Sequence, residues 1–306
     1  MPPAISVVIP TYNRRQILEK CLLALDRQTL SPEAYEVILV DDGSTDGTGE
    51  MVESLRVRYT LRYFRQERRG PAAARNAGVR AASADLIVFI DSDIVVTEGF
   101  LEAHLEAHRR PKVIGHGPVI HTDNLEDPTS ARYKVTDISR AFFATGNASI
   151  RKEHLFEAGL FDESFVEYGW EDLELGIRLR RLGLQAVSVP GAKGYHYKKR
   201  LSLSDLPYWR RRERERGHTA VQFFRKVPTR RVRWMTLITP VAFALDRLLT
   251  LGRWPERPGT QRLLAWIERK GWHLLLRFFV RIITFHEYME GLRDELIPGR
   301  AAQSRP

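Results

Sequence analysis

The stretch over residues 86–96, LIVFIDSDIVV, constrains the fold more than any other part of the chain. A continuous apolar run rich in β-branched residues reads as a strand buried on both faces of a sheet. It runs into Asp91 and Asp93, whose i, i+2 spacing sends both carboxylates to one side of an extended chain. Burying two unpaired carboxylates costs several kcal/mol unless a cation neutralises them. Open α/β folds place ligands at the carboxyl edge of the parallel sheet. A divalent ion carrying a phosphate ester fits there, and all-oxygen ligation favours Mg²⁺ or Mn²⁺. Taken alone, Asp-Ser-Asp is more simply a turn after a strand.

Its surroundings decide between the two. Buried-type strands over 5–9 and 35–40 and a third strand over 59–65 alternate with helical patterns over 15–28, 48–55 and 72–82. Such alternation reads as βαβ units and a parallel sheet. Further along, the pattern predicts a helix from about 97 to 108, strands over 113–120 and 141–150, and a helix over 152–158. A helix over 173–182 and a strand over 185–189 complete it. No Gly-x-Gly-x-x-Gly follows the first strand and no Gly-Lys-Ser/Thr occurs, which disfavours a dinucleotide oxidoreductase and a P-loop NTPase. Acids end strands two and four instead, an arrangement suited to phosphates held through a metal. The lone Cys21 lies in an apolar helical pattern and is expected in the core; one thiol allows no intrachain disulfide and fits a reducing compartment. No charged-then-apolar leader precedes the first strand, so no signal peptide is expected.

The net charge of +10 is uneven: beyond Pro207 there are 21 Lys and Arg against 9 Asp and Glu, and before it 27 against 29. A near-neutral body with a basic tail points to an anionic partner for the tail. The run WRRRERER at 209–216 reads as a solvated helix face. Two apolar segments, 234–252 and 272–289, are interrupted by Pro240, Asp246 and Arg247 and by Arg277, Arg281 and His286, so neither reads as a spanning helix. Arg269, His273, Arg277 and Arg281 recur every four residues. That places them on one stripe, with Leu274, Leu275, Phe278, Phe279, Ile282 and Ile283 largely elsewhere. With Trp266 and Trp272 this suggests an interfacial helix on an anionic membrane surface. A helical pair packed on protein is the other reading, and nucleic acid is disfavoured because no recognition motif is present.

Five motifs stand in order: Val8-Ile9-Pro10-Thr11-Tyr12-Asn13, Val40-Asp41-Asp42-Gly43-Ser44-Thr45-Asp46, Ala74-Arg75-Asn76-Ala77-Gly78, Asp91-Ser92-Asp93 and Gly169-Trp170-Glu171-Asp172. Together they make residues 4 to about 200 resemble an inverting family-two glycosyltransferase of the GT-A fold. The resemblance implies a nucleotide-sugar site formed by Pro10, Thr11, Tyr12, Asn13, Asp42, Arg75, Asp91 and Ser92, with Asp42 on the nucleobase imide and Arg75 near the diphosphate. It implies Asp93 as ligand of a Mg²⁺ or Mn²⁺ ion, with His196 as a second ligand. Asp172 is the expected catalytic base and Glu171 its substitute, while Asn147 and Trp170 would line the sugar and acceptor pockets. Read without the resemblance, Asp42 is a turn or cap residue, Arg75 a solvated helix arginine, Glu171-Asp172 a first-turn acid pair, His196 structural and Trp170 core.

The expectation is therefore an α/β chain of GT-A type, a Rossmann-like, mainly parallel sheet flanked by helices, with a C-terminal helical basic extension. The catalytic domain is expected over 1–207 and a membrane-associating extension over 208–306. The implied activity is transfer of a sugar from a nucleotide-diphosphate sugar, a UDP-sugar foremost, to an acceptor hydroxyl with inversion. Polysaccharide, glycolipid or cell-envelope glycan synthesis is the expected setting, with a glycan or lipid-linked acceptor, on the cytoplasmic face of the cell membrane. A catalytically inactive sugar-nucleotide-binding scaffold and a sugar-phosphate nucleotidyltransferase are the rival classes. The second would carry a Gly-rich, basic loop after strand one, where Pro10-Thr11-Tyr12-Asn13 stands instead.

Overall fold

The computed structural model describes residues 2–134, 137, 141–199 and 202–297. The chain divides into two compact units, Met1–Val166 with Glu171–Lys199, and Glu167–Trp170 with Arg200–Pro306.

The first unit is built on β1 (Ile5–Thr11), β2 (Tyr35–Asp41), β3 (Thr60–Arg65) and β4 (Leu86–Ile90), which are parallel to one another. The sheet order is β3-β2-β1-β4-β8-β6-β9, where β6 is Val113–His116, β8 is Asn147–Arg151 and β9 is Gln185–Ser188. β8 alone runs against its neighbours, so the sheet is mixed and mainly parallel, as the alternating pattern predicts. Along β1, Val7 and Ile9 face one core with Ile17, Leu18, Cys21 and Leu22 of α1 (Arg15–Leu25), while Val8 faces the other with Ala72, Ala74 and Val79 of α3 (Pro71–Ala81). Both faces being covered is what a continuous apolar strand requires. Between them α2 spans Thr48–Ser54. Small residues let α3 lie close on the sheet: a Cβ at Gly78 would come within 2.4 Å of Val8 Cγ1.

Residues 86–96 are not one strand. β4 stops at Ile90, the chain turns through Asp91, Ser92 and Asp93, and β5 (Ile94–Val96) joins a second sheet in the order β5-β10-β7. β7 is Val119–Thr122 and β10 is Gly194–Tyr197. The predicted strand over 113–120 likewise divides into β6 and β7 at Gly117-Pro118. Pro118 has no N–H to give a ladder, and a Cβ at Gly117 would lie 2.0 Å from Ala192 O. The strand expected from residue 141 begins only at Asn147. α4 (Phe100–Ala107), α5 (Lys152–Glu157) and α6 (Glu171–Arg181) complete this unit.

The second unit is helical: α7 (Leu206–Lys226), α8 (Arg230–Met235), α9 (Pro240–Leu249), α10 (Pro258–Arg269) and α11 (His273–Leu296). α7 and α11 approach closely at Gly217 and Gly291, where a Cβ on Gly217 would lie 2.4 Å from Tyr288 O and one on Gly291 2.2 Å from Arg214 O. The charge run over 209–216 is not simply a solvated face. Arg210 pairs with Glu287 at 2.5 Å and Arg214 with Asp294 at 2.8 Å, while Arg212 lies 3.9 Å over the Tyr168 ring. Asp246, one of the breaks in the apolar pattern, is buried between His286 at 2.9 Å and Arg293 at 2.7 Å. Among the described residues no helix is long and apolar enough to cross a membrane.

Candidate active site

β1 and β2 run in register, Thr11 opposite Asp41, so residues 10–13 and 41–46 leave the sheet at one edge. Two contacts clip these segments together: Asn13 N–H donates to Ser44 Oγ at 2.9 Å, and Thr45 N–H to Asn13 Oδ1 at 2.8 Å. Asn13 takes a positive φ of 52°, which asparagine tolerates better than most residues. Asp41 is held by Ser44 N–H and the Tyr63 hydroxyl, each at 2.8 Å. Thr11 Oγ1 is buried without a hydrogen-bond partner among the described residues, an unmet requirement at the expected base pocket. The exposed Tyr12 ring lies beneath Arg68, 4.4 Å from its guanidinium carbon. Pro10 is half-buried beside them.

Asp42 fastens the loop after β3. It accepts from Gln66 Nε2 at 2.7 Å, from Arg69 N–H at 2.8 Å and from Gly70 N–H at 2.9 Å. That loop leads into α3 through Gly70, whose φ of +88° and 2.3 Å spacing from a built Cβ to Val166 O admit no larger residue.

Two neighbouring side chains on α3 do most to tie the edge together. Asn76 donates to Phe161 O at 2.8 Å and to Glu163 Oε1 at 2.9 Å, and accepts from Phe161 N–H at 2.9 Å. Arg75, expected near a diphosphate, is buried and forks between two acids, Glu171 at 2.8 Å and Asp91 at 3.2 Å. Burial alone would lower the Arg75 pKa, but Glu171, Asp91 and Asp172 carry it upward. Glu171 Oε1 takes the arginine, and its Oε2 is buried without a partner among the described residues.

Asp172 starts α6 beside this pair and accepts from Leu173 N–H at 2.8 Å. Its pKa is raised from 3.8 to about 7, chiefly by burial and then by the Glu171 charge; Arg75 and the Leu173 N–H pull it back. The residue as a whole is half-buried rather than sealed. A carboxyl group raised to about 7 on a half-buried residue at the sheet edge is suited to taking a proton.

Beyond the turn at 91–93, the antiparallel pairing of β5 with β10 sets His196 opposite Ile94. His196 Nε2 then lies 3.2 Å from Asp93 Oδ1, and the His121 ring stands 5.3 Å from the His196 ring. A carboxylate oxygen and an imidazole nitrogen this close can share one cation, leaving its other positions to water and phosphate oxygens. Asp91 is partly exposed, at 38%, and Ser92 is buried.

The other expected pocket residues have different surroundings. Asn147 is buried and engaged on both ends of its amide, donating to Ala192 O at 2.9 Å and Pro118 O at 3.1 Å while its oxygen meets His104 Nε2 at 2.9 Å. Burial lowers the His104 pKa to about 3, so the ring is neutral and its Nε2–H donates, leaving Nδ1 to accept from Ser149 at 2.8 Å. His108, lowered to about 4 by burial, meets the same hydroxyl at 2.9 Å. Trp170 groups with the helical unit, stacked on Phe223 at 5.8 Å and donating its indole N–H to Arg216 O at 3.0 Å.

The sequence pattern did not reveal the Arg75–Glu171 pair or the buried His104–Ser149–His108 chain, because helical spacing cannot show partners 45 or 96 residues apart. A surface hollow of about 960 Å³ lies at the opposite edge of the sheet around Pro3, Asp85 and Arg151 and holds none of the acids above. The one three-residue cluster of metal-ligating type among the described residues, Asp246, His286 and Glu290, belongs to the helical unit, where Arg293 already pairs with both acids.

These elements are those of a GT-A glycosyltransferase. A mannosyltransferase from Pyrobaculum calidifontis, solved with GDP-Man and Mn²⁺, superposes over 98% of this chain and 88% of its own with a TM-score of 0.62 at 19% identity. The 1–349 fragment of TarS from S. aureus, solved with UDP, superposes over 96% and 91% with a TM-score of 0.52 at 18% identity. The profile of glycosyl transferase family 2 matches residues 6–161, and the chain belongs to that family. Validoxylamine A glucosyltransferase of Streptomyces hygroscopicus subsp. limoneus is 34% identical, covering 60% of this chain and 49% of its own. Chondroitin synthase of Escherichia coli is 31% identical over 63% of this chain and 34% of its own. The chain thus spans half the length or less of these two relatives.

Proposed function

We propose that the chain transfers a sugar from a nucleotide-diphosphate donor, a UDP-sugar foremost, to an acceptor hydroxyl with inversion. The observation that carries this is Asp172, a carboxyl group raised to about 7 at a sheet edge that also presents Asp91 and Asp93. As base, Asp172 takes the acceptor's hydroxyl proton. The freed oxygen lone pair forms the new bond to the anomeric carbon while the bond to the diphosphate oxygen breaks. Arg75 holds Glu171 and Asp91 and so positions the base helix against the strand edge. Residues 10–13 and 41–46 would hold the nucleotide, with Thr11 Oγ1 offering an unused hydrogen bond.

Asp93 and His196 are the residues that would hold a divalent ion, which when bound neutralises charge on the departing diphosphate. A mixed oxygen–nitrogen pair suits Mn²⁺ better than Mg²⁺, which prefers oxygen throughout. The basic C-terminal unit supports an acceptor presented at an anionic membrane surface: a glycan or lipid-linked alcohol on its cytoplasmic side, as in cell-envelope glycan synthesis.

The test is donor-dependent release of nucleoside diphosphate. Asp172→Ala and Asp93→Ala each lower it by about 10²-fold or more. Release that survives both substitutions unchanged rules the assignment out.

A further inference from the structure

We infer that the α10–α11 hairpin is the face by which the helical unit lies on an anionic lipid bilayer. This rests on the membrane reading above and names the surface that performs it.

The hairpin closes on itself through Leu264 and Ile267 of α10 and Leu276, Val280 and Ile283 of α11, all buried in one cluster. Its other side is apolar too. Leu274 is 83% exposed, Phe278 54% and Trp272 49%. Trp266 packs edge-on to Trp272, 5.1 Å between ring centroids, across the turn at Gly271, where φ is +70°. On α11 the four-residue step puts Leu274 and Phe278 on one side, with Arg277 and Arg281 between and beside them. The stripe therefore differs from the sequence expectation. Cations and exposed apolar side chains share the outer face, while Ile282 and Ile283 turn inward with the buried second half of α11.

Charge selects the occupant. Between residues 257 and 284 stand six basic side chains and one acid, Glu268, which accepts from Leu203 N–H at 3.1 Å. Aromatic rings and arginine also enrich protein–protein interfaces, but a second copy of this face would set like charge against like. A bilayer interface takes both kinds at once: leucine and aromatic rings enter below the headgroups, and arginine stems reach back to the phosphates.

The full chain is sedimented with vesicles of phosphatidylcholine alone, or of phosphatidylcholine and phosphatidylglycerol in equal parts. Binding to the mixed vesicles is expected to exceed binding to the neutral ones and to weaken with salt. Arg277→Ala with Arg281→Ala is expected to lower it about 25-fold, since ~1 kcal/mol per basic residue is about fivefold each. Leu274→Ser with Phe278→Ser is expected to lower it at least about tenfold, and these exposed positions should leave the melting temperature unchanged. Wild-type binding that the substitutions do not reduce overturns the hairpin and leaves the membrane reading standing. Absence of wild-type binding overturns both. Lipid-free self-association that Leu274→Ser with Phe278→Ser abolishes also overturns it, assigning the face to a second copy. Nucleotide release without vesicles reports separately on the transferase reading.

Discussion

Arg75 and Glu171 meet at 2.8 Å with 7% and 6% of their side chains exposed, a buried ion pair linking a helix behind the sheet to the first turn of α6. The other arm of the guanidinium reaches Asp91. One planar fork thus connects the acid turn after β4 with the residue preceding Asp172. Read without the family resemblance this arginine would be solvated; the fold removes it from water and gives it two carboxylates.

Breaking the pair exposes its cost. Arg75→Ala leaves Glu171 charged and buried, and the loss of stability should reach about 3–5 kcal/mol in urea unfolding. Arg75→Lys keeps the charge without the fork, so it should recover part of the stability and little of the rate.

The pH profile follows from Asp172. A base raised to about 7 is protonated and idle below that value, so kcat/KM should climb through an ascending limb near neutrality. Glu171→Gln removes a charge that lifts the Asp172 pKa, and the limb should move to lower pH. An unmoved limb contradicts the stated cause.

Stability has the opposite sign. Asp172 ionises near 3.8 when unfolded and near 7 when folded, so its protonated form stabilises the fold fully below 3.8. That contribution is lost as pH rises through 7. Asp172→Asn should therefore melt higher than wild type above pH 7 and show no such gain below the unfolded value, as thermal scans across pH would read.

At Asp93 and His196, isothermal titration of Mn²⁺ with donor nucleotide tests the pairing. His196→Ala should weaken Mn²⁺ by about tenfold or more and Mg²⁺ less, narrowing the preference between the two ions.

In the helical unit, Gly217→Ala drives a methyl group into Tyr288 O. Urea unfolding should show a loss of about 1–3 kcal/mol, because two packed backbones must separate.

Continuous apolar runs made β1, β2 and β4 legible, since a strand buried on both faces reads as an unbroken apolar run. Periodicity failed where the chain changes sheets. Residues 86–96 and 113–120 read as single strands, yet they turn at 91–93 and at Gly117-Pro118 to serve a second sheet. The order of the acids was legible from motif spacing. What each site residue touches was not: Asp42 holds a loop through three donors, and Asn147 is engaged by a buried histidine. The apolar run in α11 hid two opposite faces because both carry hydrophobic side chains.

The central claim is that Asp172 is the proton acceptor in sugar transfer. Single-turnover transfer by Asp172→Asn, with donor affinity measured alongside, tests it most directly. The account predicts a rate lowered by about 10²-fold or more, with donor binding within about twofold of wild type. Transfer at the wild-type rate with donor still bound would contradict it.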